Sequence, residues 1–117
     1  MWVIVLNTLS IVIPTRNEGE VITDCLKSIF DQSVHPREVM IVDGGSTDNT
    51  LDLAKNFDVK VIEETGFSSP ANARNLGAET AMGDVLLIMD ADTILQKDCL
   101  KNALEFFGNE KVIAVLP

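Results

Sequence analysis

The chain has 117 residues, of which 46% are hydrophobic and 23% charged, and its formal net charge is -9. This length and composition suit one soluble domain, residues 1–117, with a modest core. The acidic balance and the scattered bases argue against a nucleic-acid partner and a basic membrane-binding patch, because both need clustered Lys and Arg. Apolar runs such as Val85–Met89 are too short to cross a bilayer.

The first half of the chain predicts alternating strands and helices. Apolar residues at helical spacing after Asn17 predict a helix, and Asn17 with Glu20 forms a candidate capping box. The alternating polarity of Val59–Glu63 is typical of a strand near an edge. The predicted elements are, in order, strand Leu9–Pro14, helix Asn17–Gln32, strand Glu38–Asp43, a helix that Thr47 or Asp48 caps, and strand Val59–Glu63.

The second half continues the alternation. Ser69 and Pro70 are typical of a helix start, with a hydroxyl cap followed by proline at the first helical position. Gly83 is expected to stop that helix. The predicted elements are a helix from Pro70 to Met82, a very apolar and central strand Asp84–Asp90, helix Gln96–Phe107 and strand Lys111–Leu116. This order predicts an α/β fold: a Rossmann-like, mostly parallel sheet with helices on both faces.

Polar residues and glycines follow each predicted strand. Ligands of such sheets bind in the crevice beyond the carboxyl ends of the strands, so these residues form the predicted binding edge. They are, in chain order, Pro14, Thr15, Arg16, Asn17 and Glu18, then Asp43–Asp48, Glu63–Gly66 and Asp90–Asp92.

The segment Asp90-Ala91-Asp92 is the strongest candidate for a metal site. Alternate residues of an extended segment point the same way, so both carboxylates can face one cation. Hard oxygen ligands favour Mg²⁺ or Mn²⁺, which are held by one or two carboxylates together with substrate phosphates. The alternative is a solvated acidic turn that caps the following segment.

Two further groups could bind a nucleotide. The Asp43 carboxylate can accept hydrogen bonds from a base, while Gly44 and Gly45 permit close approach and unusual φ values. Arg16 and Arg74 supply the cations that a diphosphate needs in an otherwise acidic crevice. The alternatives are an ordinary strand-to-helix turn for the first group and arginines paired with surface acids for the second.

Other common sites are absent from the sequence. There is no G-x-x-x-x-G-K-[ST] or G-x-G-x-x-G motif, and Asp48 stands where a nucleophile elbow around Ser46 needs glycine. The only histidine, His35, falls in a predicted loop, which argues against a catalytic triad and a His-rich zinc site. Cys25 and Cys99 lie on apolar helical patterns, which predicts packed, reduced thiols.

Three stretches, SIVIPTRNE, IVDGGSTDNT and ANARNLGAETAMGDVLLIMDADT, resemble the nucleotide-binding half of family 2 glycosyltransferases with the GT-A fold. The resemblance covers nearly all of the chain. It implies inverting transfer of a sugar from a nucleotide-diphosphate sugar, with UDP-sugars favoured, to an acceptor hydroxyl. It also implies Mn²⁺ or Mg²⁺ as the cofactor.

The resemblance also implies roles for the matching residues. Asp43 would hold the base beside Gly44, and Arg74 would approach the base or the phosphates. Asp90 would contact the ribose or the metal, and Asp92 would hold the metal. The residues that would line the nucleoside pocket and the donor are Pro14, Thr15, Arg16, Asn17, Glu18 and Ala91.

The chain departs from the family pattern in two places. The common family text has a second aspartate where this chain has Gly44, which leaves the identity of the base open. The family's catalytic base and acceptor-binding surface belong to a later part of the domain, and no residue here matches that base. The expectation is a donor site with little transfer activity of its own. A cytoplasmic location is expected, with a lipid-linked acceptor bringing the protein to the inner face of the membrane.

Two other hypotheses stay open from the sequence. The chain could be a non-catalytic module that binds a nucleotide or a metal, or one that assembles with a partner or with a second copy of itself as a homo-oligomer. It could also be a flavodoxin-like regulatory domain with an acidic metal pocket, and in that case its strand order would differ.

Overall fold

The computed structural model describes residues 8–64, 66 and 68–106. The strands and helices in these ranges are Leu9–Thr15 (β1), Ile22–Phe30 (α1), Glu38–Asp43 (β2), Thr50–Ala54 (α2), Lys60–Glu63 (β3), Pro70–Thr80 (α3), Val85–Ile88 (β4) and Cys99–Phe106 (α4). The predicted strand Lys111–Leu116 lies outside the described residues. Within the described ranges, no helix has both the length and the apolar character that crossing a bilayer requires.

The four strands form one parallel sheet in the order β3-β2-β1-β4. Val12 of β1 pairs with Met40 of β2 on one side and with Ile88 of β4 on the other. The parallel sheet and the edge position of β3 confirm the predictions. A flavodoxin-like sheet would place its third strand beside the first, so that hypothesis is wrong.

Helices cover both faces of the sheet, as predicted. The side chains of β1 alternate between two apolar clusters, because successive residues of a strand point to opposite faces. Ile11 and Ile13 pack in the cluster that contains Leu26 of α1 and Leu100 of α4. The smaller cluster on the other face consists of Val12, Met40 and Val42 of the sheet with Ala73 of α3.

The predicted start of the first helix is wrong. Helix α1 begins at Ile22 rather than Asn17, and its N-cap Val21 makes no side-chain capping bond. Asn17 has a φ of 52° in the left-handed region, and its side-chain oxygen accepts hydrogen bonds from the amides of Thr47 (2.8 Å) and Asp48 (3.3 Å). Asn17 therefore holds two loops together instead of forming a capping box with Glu20.

The prediction for the next helix is wrong in its cap, whereas that for α3 is right. The N-cap of α2 is Asn49, which makes no side-chain capping bond, although the Asp48 carboxylate one residue earlier accepts a hydrogen bond from the Thr50 amide at 3.0 Å. At α3, the Ser69 hydroxyl accepts a hydrogen bond from the Asn72 amide at 3.0 Å, which confirms that cap.

Two predicted roles near β4 need correction. Helix α3 ends at Thr80 rather than Met82, and a Cβ at Gly83 would lie 2.6 Å from the Ser10 hydroxyl. Gly83 thus allows a close approach to β1 instead of stopping a helix. Among the described residues β4 is the outer strand next to β1. Its predicted central position requires a further strand beside it, and the predicted strand Lys111–Leu116 lies outside the described residues, so that position stays a prediction. The helix predicted from Gln96 begins at Cys99.

Both cysteines are free thiols, in agreement with the prediction. Cys25 is buried in α1, whereas Cys99 is half-buried at the start of α4. Burial and then the negative charge of Asp92 raise the pKa of the Cys25 thiol to about 12. Cys25 is therefore a packing residue and not a nucleophile at neutral pH.

A buried carboxylate joins the strands at the end of the sheet opposite the predicted site. Glu38 is 7% exposed and accepts hydrogen bonds from the Ser10 hydroxyl (2.5 Å), the Met82 amide (2.6 Å) and the Lys60 ammonium group (2.9 Å). Burial raises the pKa of Glu38, but these hydrogen bonds and the charge of Lys60 outweigh it and lower the pKa to about 2.

Glu38→Gln should therefore destabilise the fold by about 2 kcal/mol at pH 7, since charge-assisted hydrogen bonds are lost. The folded-state pKa lies below the ordinary value of 4.5, so the stabilisation is fully present above that pH and is lost as the pH falls towards 2. Urea unfolding at pH 7 and pH 3 measures the effect, with the exposed Glu20→Gln as the control. A difference between variant and parent that does not change with pH would contradict this explanation.

Candidate functional site

A cleft of about 320 Å³ opens at the carboxyl edge of the sheet. From β1, the next two strands β2 and β3 are added on one side of the sheet, and β4 is then added on the other side of β1. The direction in which strands are added therefore reverses between β1 and β4. Parallel sheets bind ligands at such a switch point. The lining residues are Pro14, Thr15, Arg16, Glu18, Glu64, Ser68, Ser69, Pro70, Arg74, Asp90, Ala91 and Asp92.

Most of the predicted site residues are therefore together in one cleft. Those that do not line it are Asn17, Asp43 and Gly44. Glu64 was expected at the binding edge without a role, and Ser68 was not expected there. The feature of the sequence that points to them is their position after the predicted strand Val59–Glu63.

One wall of the cleft is acidic. Asp90 and Asp92 are exposed, and within the described residues neither side chain accepts a hydrogen bond or forms an ion pair. Ala91 between them is buried, and the Asp90 carbonyl accepts hydrogen bonds from the Thr93 amide (3.0 Å) and the Cys25 thiol (3.9 Å). The backbone of this turn is anchored, and neither carboxylate caps a helix among residues 8–64, 66 and 68–106.

Glu18 belongs to the same acidic wall. Its pKa is raised first by burial and then by the negative charges of Asp92, Asp48 and Asp90. Carboxylates that repel each other in this way are relieved by a cation.

The donor chemistry of this wall fits a divalent cation. Carboxylate oxygens are the hard ligands that Mg²⁺ and Mn²⁺ prefer, and Mg²⁺ commonly combines one or two of them with water and phosphate oxygens. The described residues hold no preassembled group of three or more His, Cys, Asp or Glu ligands. The residues present therefore fit a cation that takes part of its coordination from a bound phosphate or from water.

The cleft also contains two arginines. Arg16 follows β1 and Arg74 lies one turn into α3, and both are exposed. Among the described residues the one ion pair is Lys60–Glu38, so neither arginine is paired with an acid. Both guanidinium groups are thus available to an anionic ligand.

Asp43 organises a loop instead of lining the cleft. It is 3% exposed, and its carboxylate accepts hydrogen bonds from the amides of Gly45 (3.1 Å) and Ser46 (2.9 Å) and from the hydroxyls of Ser46 (2.6 Å) and Thr15 (3.2 Å). Gly45 has a φ of 89°, which confirms the expected unusual backbone after β2. Contact between Asp43 and a base stays a prediction.

Known proteins share this sequence pattern and this fold. The chain matches the family model described as glycosyl transferase family 2 over residues 10–117. It is 38% identical over 115 residues to a protein of Methanococcus voltae named dolichyl N-acetyl-alpha-D-glucosaminyl phosphate 3-beta-D-2,3-diacetamido-2,3-dideoxy-beta-D-glucuronosyltransferase. That alignment covers 91% of this chain and 36% of the relative.

Two solved glycosyltransferase structures superpose on the fold. The mannosyltransferase PcManGT from Pyrobaculum calidifontis, in complex with GDP-Man and Mn²⁺, matches with a TM-score of 0.83 and 29% identity, over 92% of this chain and 34% of that one. TarS of S. aureus (residues 1–349), in complex with UDP-GlcNAc, matches with a TM-score of 0.78 and 33% identity, over 86% of this chain and 31% of that one.

The chain spans about a third of the length of these relatives. Over that third, the sequence and the parallel sheet with its helices agree with theirs. The chain belongs to glycosyltransferase family 2 and has the GT-A type of α/β fold.

Proposed function

We propose that this chain is the donor-binding part of an inverting, metal-dependent glycosyltransferase that transfers a sugar from a UDP-sugar to an acceptor hydroxyl. The observation that carries the proposal is the charge layout of the cleft at the switch point. Within the part of the chain that the structure describes, carboxylates without a hydrogen-bond donor and arginines without an ion pair share one cavity of about 320 Å³. A nucleoside diphosphate accompanied by a divalent cation satisfies both sets of charges.

Asp90 and Asp92 would hold Mn²⁺ or Mg²⁺. When bound, such a cation neutralises the negative charge that builds up on the leaving diphosphate. Arg16 and Arg74 bring positive charge to the same diphosphate and orient it by hydrogen bonds. The Mn²⁺ and GDP-Man in the complex of the similar mannosyltransferase support this assignment.

The nucleoside would lie over the end of β1, against Pro14 and Thr15. The UDP-GlcNAc complex of TarS supports a uridine nucleotide. By resemblance, Asn17, Glu18, Asp43, Gly44 and Ala91 complete the surroundings of the donor. Asn17 and Asp43 act there through the loop that they hold in place.

The acceptor side of the reaction needs a carboxylate base to take the proton from the attacking hydroxyl. No residue of this chain is assigned that role. A lipid-linked acceptor is supported by the name of the Methanococcus voltae relative, which includes a dolichyl sugar phosphate.

Thermal unfolding with a panel of nucleotides tests the donor site. UDP with Mn²⁺ at about a hundred times the dissociation constant should stabilise the folded chain by about 2.7 kcal/mol, or roughly 10 °C in Tm. UDP without Mn²⁺ should give a much smaller shift, because the acidic wall then repels the diphosphate. ADP with Mn²⁺ is the control for unspecific diphosphate binding. A shift with Mn²⁺ alone that UDP does not increase would contradict the proposal.

A further inference from the structure

Glu64, directly after β3, holds a fixed position in the wall of the cleft. Its Oε2 atom accepts two hydrogen bonds at 3.1 Å, one from the Ser69 amide and one from the Asn72 side-chain amide. Its own amide donates to the Asp43 carbonyl at 2.8 Å, which continues the pairing of β2 and β3. Backbone and side chain are therefore both anchored, so the direction of the carboxylate is set before any ligand arrives.

The other carboxylate oxygen, Oε1, accepts no hydrogen bond from any described residue. A Cβ at Gly44 would lie 3.1 Å from this oxygen and 2.6 Å from the Ser68 hydroxyl. Glu64 and Ser68 thus occupy the space above Gly44 that a larger residue would fill. The glycine lets the segment after β3 close over the end of β2 and brings an acceptor oxygen to the cleft.

Glu64 and the acidic wall stand at opposite ends of the cleft. Glu64 follows β3 and Asp90 follows β4, and these are the two outer strands of the described sheet. At a strand spacing of about 4.8 Å, their ends are roughly 14 Å apart. A nucleoside diphosphate with its phosphates near Asp90 and Asp92 can therefore extend its base towards Glu64.

The Asp43 carboxylate is less suited than Glu64 to accept a hydrogen bond from a nucleobase. It already accepts four hydrogen bonds from its own loop and from Thr15, which use the usual capacity of a carboxylate. Glu64 lines the cleft, and its Oε1 atom receives no hydrogen bond from residues 8–64, 66 or 68–106.

We propose that Glu64 Oε1 accepts a hydrogen bond from the ring N–H of the nucleobase and selects uracil over cytosine. This inference rests on the proposed donor site. Uracil presents a donor at N3, whereas cytosine presents a lone pair there that a carboxylate repels. Guanine also carries a ring N–H beside a carbonyl, so the same oxygen accepts uracil or guanine and rejects cytosine and adenine. Glu64 is half-buried, and an acceptor in such a partly desolvated place discriminates between ligands because the wrong one leaves it without a donor.

Glu64→Gln tests this by exchanging an acceptor for a donor. The amide oxygen should keep the two donors from Ser69 and Asn72, which places the NH₂ group where Oε1 was. The affinity for UDP should fall at least tenfold and the affinity for CDP should rise. The ratio of the UDP affinity to the CDP affinity should therefore fall about a hundredfold or drop below one. Calorimetric titration of the whole chain with Mn²⁺ measures both. Glu63→Gln, one residue earlier and exposed, should leave both affinities unchanged.

A second measurement needs no variant. The unaltered chain should bind N3-methylated UDP at least tenfold more weakly than UDP, because the methyl group replaces the donated hydrogen. Equal affinity for UDP and N3-methylated UDP, or an equal loss of UDP and CDP affinity in Glu64→Gln, would overturn the role of Glu64. Neither result would contradict the proposed donor site. An unaltered chain that binds no UDP in the presence of Mn²⁺ would overturn the donor site, and this inference with it.

Discussion

Asp92→Ala should abolish the Mn²⁺-dependent stabilisation of the chain by UDP. Asp92 and Asp90 are the two proposed ligands of the cation, and neither side chain accepts a hydrogen bond from a described residue, so removing Asp92 takes away one of these two ligands. With the cation lost, the diphosphate faces Glu18 and Asp90 without a neutralising charge. At UDP and Mn²⁺ concentrations that stabilise the parent by about 2.7 kcal/mol, the variant should show a shift close to zero.

The fold itself should tolerate this change. Asp92 is exposed, and its charge raises the pKa of the neighbouring Glu18 carboxyl, so its removal relieves repulsion in the unliganded chain. Without ligand, the variant should melt at the parent temperature or slightly above it. Asp58→Ala is the matched control, since Asp58 is an exposed residue that precedes β3 at the opposite edge of the sheet. A full Mn²⁺-dependent shift in Asp92→Ala would remove the metal from the proposed function.

Gly77→Ala should destabilise the chain by about 2 kcal/mol, although alanine is the better helix former. In an exposed helix interior, this replacement would stabilise by about 1 kcal/mol. Gly77 instead lies in α3 against the centre of the sheet, where a Cβ would come 2.3 Å from Val12 Cγ1 and 3.2 Å from Val12 Cβ. Val12 is fully buried in β1, so it cannot move aside, and overpacking of this kind typically costs about 1–3 kcal/mol.

The expected result is a fall in Tm of roughly 10 °C for a chain of this size. Helix α3 also carries Arg74, so a helix pushed away from β1 should bind UDP more weakly as well. Glu79→Ala, on the exposed side of the same helix, should change little. Adding Val12→Ala to Gly77→Ala should recover part of the loss, because the clash is between these two positions. An unchanged or higher Tm in Gly77→Ala would show that the helix and the sheet are not packed this closely.

Much of the fold follows from local patterns. The strand Glu38–Asp43 agrees in both bounds with the structure, because an apolar run with a polar end is a local property of the chain. The Ser69 cap and the proline after it mark the start of α3 correctly, since a cap and its partner are three residues apart. The positions after the strands then indicated the edge of the sheet at which the cleft lies.

The wrong start of the first helix concerns a residue whose partners are distant in sequence. Asn17 has the chemistry of a helix cap, but its oxygen accepts amide hydrogens from Thr47 and Asp48, which belong to another loop. Several interactions compete for such a side chain, and the three-dimensional arrangement decides which of them forms. The hydrogen bonds of Asp43 to its own loop and to Thr15 likewise depend on the fold, while its contact with a base stays a prediction.

The sequence by itself determined the α/β class, the alternation of strands and helices that makes the sheet parallel, and the acidic motif at Asp90 and Asp92. These features depend on side-chain polarity and on spacings of a few residues. Only the tertiary structure decided that β4 pairs with β1, that a Cβ at Gly77 would meet Val12, and that Glu64 stands above Gly44 in the cleft. Each of these depends on the distance between segments remote in sequence, which close packing sets and which no local pattern contains.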